Sequence, residues 1–367
     1  MNRFLLIILS CASLVTLSSC SYTPVNTSGK FDLNENQSIS IQSDMFDEPS
    51  SIISFENNKR SQKKLANIPY SNYLFASNWN TNSIYIAAAR SNGLLQVNKD
   101  QSWQVLDVYN TDNNFGGYTA VSSLPQGGAI LSKNKVGNNI PDMWYPDLIV
   151  RIDKQGKPLW KTTVDCFVDS IDTTDSLALV SGTSKQASYF ILDLETGHIV
   201  SHLEKDTNLK WFHACHFVSD KIVCITQMSD LSYRLLHFTS DNLIIFQSDS
   251  FQDGINQAKL YNNTFVSLSN NNPSLLLFHD LYWNKTGQIQ LTTDSSVLCR
   301  SLTLFKNYAL VGCQTRESGQ YTEFLYRVNL DTHQLVDELK HRVNQEYAKD
   351  MGITISSDWF FRESNMQ

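Results

Sequence analysis

Residues Asp175–Ser181, Asp-Ser-Leu-Ala-Leu-Val-Ser, are the stretch from which the fold of this chain follows. A turn residue and a polar residue are followed by a short apolar run that ends in a small residue. Such runs, bounded by Asp, Asn, Gly or Ser, are typical of β-strands entered from a tight turn. A single short strand is not stable alone, so the surrounding sequence decides what this one builds.

The same pattern recurs along the chain at nearly constant intervals. It begins at positions 82, 127, 175, 220, 263 and 307, so successive starts are 45, 48, 45, 43 and 44 residues apart. Around the quoted stretch, four short strands are predicted at Phe167–Asp172, Leu177–Gly182, Tyr189–Asp193 and His198–Leu203. A period of about 40–50 residues with four strands is the signature of a β-propeller blade. We therefore predict an all-β fold with six complete four-stranded blades between Asn72 and Lys340.

Further strand-like runs lie near both ends of the chain. Ser38–Ile41 and Ile52–Phe55 come before the repeats, and Ile353–Phe361 comes after them. We expect a composite seventh blade, in which an N-terminal run and the C-terminal run close the ring. Between the sixth blade and the last run, a short C-terminal helix is predicted over Gln334–Asp350, because its apolar residues recur at the spacing of one helical face.

Two turns carry a more specific motif. Arg151–Trp160 reads Arg-Ile-Asp-Lys-Gln-Gly-Lys-Pro-Leu-Trp, and Leu192–Val200 reads Leu-Asp-Leu-Glu-Thr-Gly-His-Ile-Val. Both resemble the core of PQQ-like repeats, the repeats of quinoprotein-type propellers. The resemblance implies that the Asp and Gly shape a turn between the third and fourth strands and that the Trp packs against the next blade. Only the first stretch has the Trp, so the resemblance implies architecture and not a bound quinone.

The beginning of the chain has the three-part form of an export signal. Arg3 is its only charge, an apolar run from Phe4 to Leu17 follows, and Ser18 and Ser19 precede Cys20. The run is shorter than the about 20 apolar residues that a spanning helix needs, so we expect a cleaved signal peptide over residues 1–19. Leu17-Ser18-Ser19-Cys20 resembles the lipobox of bacterial lipoproteins. That resemblance implies lipid on the Cys20 thiol and an acyl chain such as palmitate on its amino group.

The alternative for Cys20 is ordinary secretion without lipid. Under the enteric sorting rule, Ser21 after a lipidated cysteine implies the outer membrane, with the periplasmic and surface faces both open.

Residues 20–68 are rich in Asn, Ser, Gln and acidic residues, so we expect a flexible tether that leads to a propeller domain over residues 69–367. A basic cluster in the tether is interpreted as a solvated face, with anionic lipid as the alternative contact; it comprises Lys59, Arg60, Lys63 and Lys64.

The charge of the chain disfavours one class of partner. The formal net charge is −7, and loss of Arg3 with the signal peptide makes it −8. Because a mildly acidic protein has no basic field to hold phosphates, no nucleic acid is expected as a partner.

Four cysteines are candidates for disulfides. If Ser219-Asp220 is a two-residue hairpin loop, Cys215 faces Cys224 in a pair that lies near the lower end of the Cα separation a disulfide accepts. Cys299 and Cys313 stand similarly across the turn near Lys306-Asn307, and Cys166 remains odd. An oxidising envelope permits both bonds. The alternative is that these are small apolar residues packed between blades.

No catalytic, metal or cofactor site is predicted. His213, Cys215 and His216 are close in sequence, but strand alternation puts His216 on the opposite face, so three ligands do not converge. Asp169, Asp172 and Asp175 are interpreted as strand-end and turn residues. The function predicted is therefore that of a lipid-anchored envelope scaffold that binds a protein. The alternative is a propeller enzyme, a lyase, hydrolase or quinone-dependent dehydrogenase, with its site in the central channel.

Overall fold

The fold is all-β in a computed structural model of the chain. Every regular element among the described residues is a strand. The described residues are 28–30, 38–42, 49–56, 59–69, 74–76, 83–88, 93–98, 102–107, 115–135, 146–183, 187–203, 208–251, 255–269, 274–305, 307–317, 320–343 and 358–361.

The described strands form seven sheets, which we number as blades. The strands that precede the repeats are β1 (Ser28–Lys30), β2 (Ser38–Gln42), β3 (Pro49–Glu56) and β4 (Lys59–Pro69). Blade 1 contains β5 (Leu74–Ala76), β6 (Ser83–Ala88), β7 (Gly93–Asn98) and β8 (Ser102–Asp107). Blade 2 contains β9 (Phe115–Ser123), β10 (Ala129–Lys135), β11 (Asp147–Ile152) and β12 (Pro158–Val164). Blade 3 contains β13 (Phe167–Thr173), β14 (Leu177–Thr183), β15 (Ala187–Asp193) and β16 (Ile199–His202). Blade 4 contains β17 (Leu209–Val218), β18 (Lys221–Met228), β19 (Tyr233–Phe238) and β20 (Ile244–Gln247). Blade 5 contains β21 (Ile255–Tyr261), β22 (Thr264–Ser269), β23 (Leu275–His279) and β24 (Lys285–Gln290). Blade 6 contains β25 (Leu298–Phe305), β26 (Tyr308–Glu317), β27 (Gln320–Asn329) and β28 (Gln334–Val343). Blade 7 combines β2, β3 and β4 with β29 (Asp358–Phe361).

The seven blades close into a ring through their first strands. Strands β9, β13, β17, β21 and β25 follow one another in contact, and β29 contacts both β25 and β5. Blade 7 therefore joins blade 6 to blade 1, with β29 paired antiparallel to β2 so that Ile39 stands opposite Phe360. The prediction of six complete blades and a composite seventh is confirmed. Strand alternation and a period of about 45 residues were sufficient for it because each blade repeats one sheet.

Apolar clusters hold neighbouring blades together. One cluster joins Tyr85 and Leu94 of blade 1 to Leu131 and Val150 of blade 2, and four more join the successive pairs up to blades 5 and 6. A four-stranded sheet has two faces to cover, and in a ring each face packs on a neighbour. Burial of apolar surface, at about 25 cal/mol per Å² removed from water, is therefore spread around the ring rather than gathered in one core.

The predicted C-terminal helix is wrong for Gln334–Val343, which is strand β28. This strand pairs with β27 along its length. Its register passes from Val328↔Leu335 to Arg327↔Asp337, so Val336 is an extra residue in the ladder. Such a bulge interrupts the two-residue alternation by which strands are recognised, and the remaining apolar spacing imitates a helix. Residues 344–350 lie outside the described ranges.

Part of the stretch expected to be a tether belongs to the ring. Strands β1 to β4 lie within or at the end of residues 20–68, and the structure assigns them to blades 1 and 7. Strands β2 and β3 coincide with the strand-like runs predicted at Ser38–Ile41 and Ile52–Phe55. Strands β1 and β4 were not predicted, because short polar strands gain their stability from the sheets they join. The basic cluster Lys59, Arg60, Lys63 and Lys64 falls on β4, the outer strand of blade 7.

Candidate functional site

The turns between third and fourth strands share one backbone feature in blades 2 to 6. In each turn one residue adopts a positive φ, which an L-residue with a side chain rarely does. Side-chain caps accompany it: the Asp153 carboxylate accepts the N–H groups of Gln155 and Lys157, and the Asp193 carboxylate accepts that of Thr196. The residues with positive φ are Gly156 (83°), Gly197 (75°), Asn242 (63°), Trp283 (65°) and His333 (51°).

Each such turn packs on the outer strand of the preceding blade. The clearest example joins blades 2 and 3, where Trp160 Nε1 donates to the carbonyl oxygen of Leu194 at 2.7 Å. Thr162 Oγ1 donates to the carbonyl oxygen of Gly197 at 2.5 Å. A Cβ on Gly197 would lie 2.6 Å from the Trp160 ring, so only glycine permits this approach. The packing of Trp160 on the next blade is as predicted.

Between blades 3 and 4, an asparagine makes the same connection. Asn242 Oδ1 accepts the hydroxyl of Tyr189 at 2.6 Å, and Asn242 Nδ2 donates to Ser201 Oγ at 3.2 Å and to the His202 carbonyl at 2.9 Å. Tyr189 is fully buried, and desolvation raises its pKa, so its hydroxyl remains a donor. Asn242 therefore holds outer strands β16 and β20 in a fixed relationship.

A cleft of about 400 Å³ lies beside Asn242, between blades 3 and 4. Three of its lining residues, Leu203, Leu209 and Phe238, are buried and give it an apolar floor. Its other lining residues are His202, Asp241, Asn242 and Ile244. An apolar floor beneath polar groups is the usual composition of a pocket that receives an apolar group of a ligand, while the polar groups orient the rest of that ligand by hydrogen bonds.

Exposed aliphatic residues flank this cleft. Val200 on β16 is 60% exposed, and Leu243, immediately before β20, is 64% exposed. Large exposed apolar groups gathered in one place mark interaction surfaces, whereas single ones do not. We call the following set the apolar edge: Ile199, Val200, Leu243, Ile244 and Ile245.

Both strands that carry the apolar edge are the last strands of their sheets. Strand β16 pairs only with β15, and β20 pairs only with β19, among the described strands. An edge strand presents backbone N–H and C=O groups that another strand can pair with. Blade 1 shows this pairing within the chain itself, because β1 adds antiparallel to the outer edge of β8, with Gly29 opposite Trp103. The outer edge of a blade in this ring therefore accepts an added strand.

Titratable groups also gather where β13 meets β17, on the inner strands of blades 3 and 4. The Trp211 indole donates to the Asp169 carboxylate, and Asp172 Oδ2 accepts the Phe217 N–H at 2.8 Å. Burial raises the pKa of Asp169 to about 7. Burial lowers the pKa of His213 to about 4, and the His213 ring stacks on Trp211 at 5.4 Å between centroids. Of the three aspartates interpreted as strand-end and turn residues, Asp169 and Asp172 thus connect two blades from within β13.

The metal-ligand candidates do not form a site. Cys215 is bonded to Cys224, so its sulfur is not free to bind a metal. His216 Nδ1 lies 3.7 Å from Asp172 Oδ2, whereas His213 stacks with Trp211. Among the residues that the structure describes, no group of three or more His, Cys, Asp or Glu side chains is placed to hold a metal ion.

Two disulfides occur at the positions considered for them. Cys215–Cys224 and Cys299–Cys313 have Cα separations of 4.1 and 3.9 Å, and each joins the first two strands of a blade. The hairpin register is the predicted one, with Val218 opposite Lys221 and Cys215 opposite Cys224. Cys166 is buried and unpaired.

The lipobox and Cys20 lie outside the described residues, as does the signal peptide. Within the described ranges, no helix is long and apolar enough to cross a membrane.

Comparison with known proteins identifies the fold. No protein-family model matches the chain, and no curated protein matches it in sequence. Among solved structures, the WD40 β-propeller domain of Doa1 is similar with a TM-score of 0.51 and 12% identity, over 72% of this chain and 81% of that one. A chain of the Mitotic Checkpoint Complex is similar with a TM-score of 0.50 and 11% identity, over 93% of this chain and 89% of that one. BamB from Moraxella catarrhalis gives a TM-score of 0.43 and 12% identity, over 86% of this chain and 90% of that one. The likenesses to the Doa1 domain and to the checkpoint-complex chain establish the fold as a β-propeller.

Sequence reasoning did not find the residues around the cleft. Asn242 has no local sequence signal for its role, because its partners Tyr189 and His202 lie in another blade. The run Leu243-Ile244-Ile245 was one available signal. Three consecutive aliphatic residues that lead from a turn into the fourth strand of a blade cannot all face the interior.

Proposed function

We propose that this chain is a lipid-anchored β-propeller of the bacterial envelope that binds a protein partner through the apolar edge. The observation that carries the proposal is the presence of five exposed aliphatic residues on, or directly before, the edge strands of two neighbouring blades, beside an apolar-floored cleft. Complete burial of a fully exposed aliphatic side chain contributes about 1.5–3 kcal/mol, and these side chains are about half exposed, so each would contribute roughly half as much and the set together supplies substantial binding energy.

The partner's contribution would be an extended segment. Its backbone pairs with β20 or β16, as β1 pairs with β8, and one apolar side chain enters the cleft. In strand addition, main-chain hydrogen bonds give affinity, and pockets for side chains give specificity. His202, Asp241 and Asn242 supply polar groups at the cleft that can orient such a segment.

Binding is better supported than catalysis. The carboxylates where β13 meets β17 already have structural partners. Asp169 accepts the Trp211 indole N–H, and Asp172 accepts the Phe217 N–H. A catalytic acid or base must reach a substrate proton, and these groups instead connect β13 to β17.

The proposed membrane anchor rests on the lipobox at Leu17–Cys20. A disulfide-containing protein suits an oxidising compartment, which is consistent with export. Labelled palmitate is expected to enter the wild-type protein and not the Cys20→Ala variant. Equal labelling of both would overturn the lipid anchor and leave the binding surface to be tested separately.

Photocrosslinking tests the binding surface. Benzoylphenylalanine placed at Ile245 is expected to give an adduct of one reproducible mass in intact cells, with the crosslink mapping to an extended segment of the partner. Gln288, an exposed residue on outer strand β24 of blade 5, is the matched control position and should give none. Ile244→Asp should abolish the adduct while thermal unfolding is unchanged, because Ile244 is exposed. The same adduct from both positions, or an adduct that survives Ile244→Asp, would exclude the apolar edge as the binding site.

A further inference from the structure

A second cavity, of about 440 Å³, lies between blades 1 and 2, away from the apolar edge. Blade 1 contributes Ser83, Tyr85, Gln96, Asn98 and Gln104 to its lining. Blade 2 contributes two turns, comprising Ser123, Leu124, Pro125, Gln126 and Gly127 from one and Lys154 and Gln155 from the other. The volume is within the range of about 300–1,000 Å³ typical of small-molecule sites.

The blade 1 wall is a continuous row of hydrogen-bonded side chains. Gln104 Nε2 donates to Gln96 Oε1 at 2.7 Å, and Gln96 Nε2 donates to Ser83 Oγ at 3.2 Å and to Asn98 Oδ1 at 3.1 Å. Ser83 Oγ donates to Asn98 Oδ1 at 2.6 Å. We call Ser83, Gln96, Asn98 and Gln104 the amide row. Because each amide is held by the next, their orientations are fixed before a ligand arrives.

The amide row is unusual for its position in the ring. Gln96 is only 5% exposed, and a polar side chain at such depth is costly unless it is hydrogen-bonded. The cleft between blades 3 and 4 has Leu203, Leu209 and Phe238 as its floor, with no comparable set of amides. An apolar wall would stabilise the junction of blades 1 and 2 without this requirement, so the polar wall points to a ligand.

The chemistry of the lining selects one class of ligand. Among the lining residues that the structure describes, Lys154 is the one charged side chain and none is a carboxylate, so these residues are poorly matched to a cation or a multiply charged anion. Peptide strand addition is blocked beside Gln104, because the outer edge of β8 is occupied by β1 with Ser28 opposite Gln104. Amides both donate and accept hydrogen bonds, as the hydroxyl groups of a sugar require.

We propose that this cavity binds a neutral sugar unit of a glycan. Gln104 is the end of the amide row, and its amide oxygen makes no hydrogen bond with another described residue. It therefore offers an acceptor to a sugar hydroxyl, while Gln126 and Gln155 provide amides from the blade 2 turns. Leu124 and Pro125 supply apolar surface for the C–H groups of the ring. The proposal does not depend on the proposed partner surface, since the two sites lie in different blades.

Saturation-transfer NMR on the full chain, in a detergent without a sugar headgroup, tests the proposal. The probes are N,N′-diacetylchitobiose, maltotriose and, as the peptide alternative, tri-alanine. At least one of the two sugars is expected to show transfer at millimolar concentration. Gln104→Ala should weaken its Kd about three- to tenfold, the effect of one lost hydrogen bond. The matched variant Gln288→Ala, in blade 5, should leave the Kd unchanged.

A second measurement covers the case in which Gln104→Ala does not fold. Sugar binding to the wild type should slow amide hydrogen exchange in Gln126, Gly127 and Gln155, and not in the turns of blades 5 and 6. Binding of neither sugar, binding of tri-alanine alone, or protection outside these turns would each overturn the proposal. A Kd unaffected by a folded Gln104→Ala variant would do the same.

Discussion

The indole N–H of Trp160 donates to the carbonyl oxygen of Leu194 at 2.7 Å, which fixes the outer strand of blade 2 to the turn of blade 3. Equivalent contacts recur around the ring with different chemistry. Asn242 binds Ser201 between blades 3 and 4, and the His333 ring stacks on Phe278 at 4.0 Å between blades 5 and 6. One backbone turn therefore supports several kinds of side-chain contact, which is why the sequence motif is regular only in places.

Truncation of Trp160 tests the stabilising role of this contact. Trp160→Ala removes a half-buried ring and its hydrogen bond, so the free energy of unfolding should fall by about 2–3 kcal/mol. Urea unfolding measures it. Leu159→Ala is the control on the same strand, because Leu159 is exposed and its loss should change stability by less than about 0.5 kcal/mol. Equal effects of the two substitutions would show that the Trp160 contact contributes nothing.

Gly197 provides a complementary test of the same junction. Gly197→Ala requires a positive φ from alanine and places a Cβ 2.6 Å from the Trp160 ring. Gly127→Ala has a similarly positive φ but no contact shorter than 3.5 Å, so it incurs only the backbone cost of about 1 kcal/mol. Gly197→Ala should therefore destabilise more than Gly127→Ala. In the Trp160→Ala background most of the excess should disappear, because the clashing ring is absent and only the contact with Thr162 Oγ1, at 3.0 Å, remains. Strict additivity of Gly197→Ala and Trp160→Ala would rule out the clash.

The sequence was sufficient for the parts of the fold that depend on local pattern. Strands β13 to β16 lie within two residues of their predicted bounds, because turn residues and alternation are local properties. The Cys215 register also followed from a hairpin count alone. The helix predicted over Gln334–Asp350 failed at a bulge, where pairing with β27 overrides local spacing.

The candidate site was not predictable in the same way. The cleft exists because Asn242 contacts a blade about 40 residues earlier in the chain. The amide row requires Gln96 and Gln104 to face a turn of blade 2. Neither relationship leaves a local pattern, since inter-blade contacts depend on how the ring closes.

Removal of the disulfides should weaken the fold by a calculable amount. Cys215–Cys224 spans 9 residues and Cys299–Cys313 spans 14. Loop-closure entropy for such short loops corresponds to about 2.5–3 kcal/mol per bond. The double variant Cys215→Ala/Cys224→Ala should lower the urea midpoint by the amount that corresponds to one bond. In the wild type, intact-mass analysis after reduction and alkylation should detect four more modified thiols than alkylation without reduction. Cys166→Ala is the control, since Cys166 is unpaired. An unchanged mass after reduction and alkylation would exclude both bonds.

Asp169 should make stability fall as the pH rises from about 4 to about 7. Its folded pKa is raised from 3.8 to about 7 by burial, so within this window the folded protein keeps a proton that the unfolded chain releases. The stabilising effect of the protonated Asp169 carboxyl is complete at pH values below 3.8, its pKa in the unfolded chain. It is lost as the pH rises through about 7, its pKa in the folded protein. Asp169→Asn removes the titration while retaining an oxygen for the Trp211 indole. The difference in unfolding free energy between wild type and variant should therefore change across this range, and a constant difference would refute the raised pKa.

His213 should have the opposite effect in an overlapping window. Burial lowers its folded pKa from 6.5 to about 4, so between these values the unfolded chain binds a proton that the folded protein excludes. Stability contributed by neutral His213 is complete above 6.5 and is lost as the pH falls toward 4. His213→Phe keeps an aromatic ring against Trp211 and sacrifices no hydrogen bond at Nε2, which is buried without a partner. The variant should exceed the wild type in stability by more near pH 5 than near pH 8. If urea unfolding shows the same difference at both pH values, His213 is protonated to the same extent in the folded and unfolded states, and the lowered pKa is refuted.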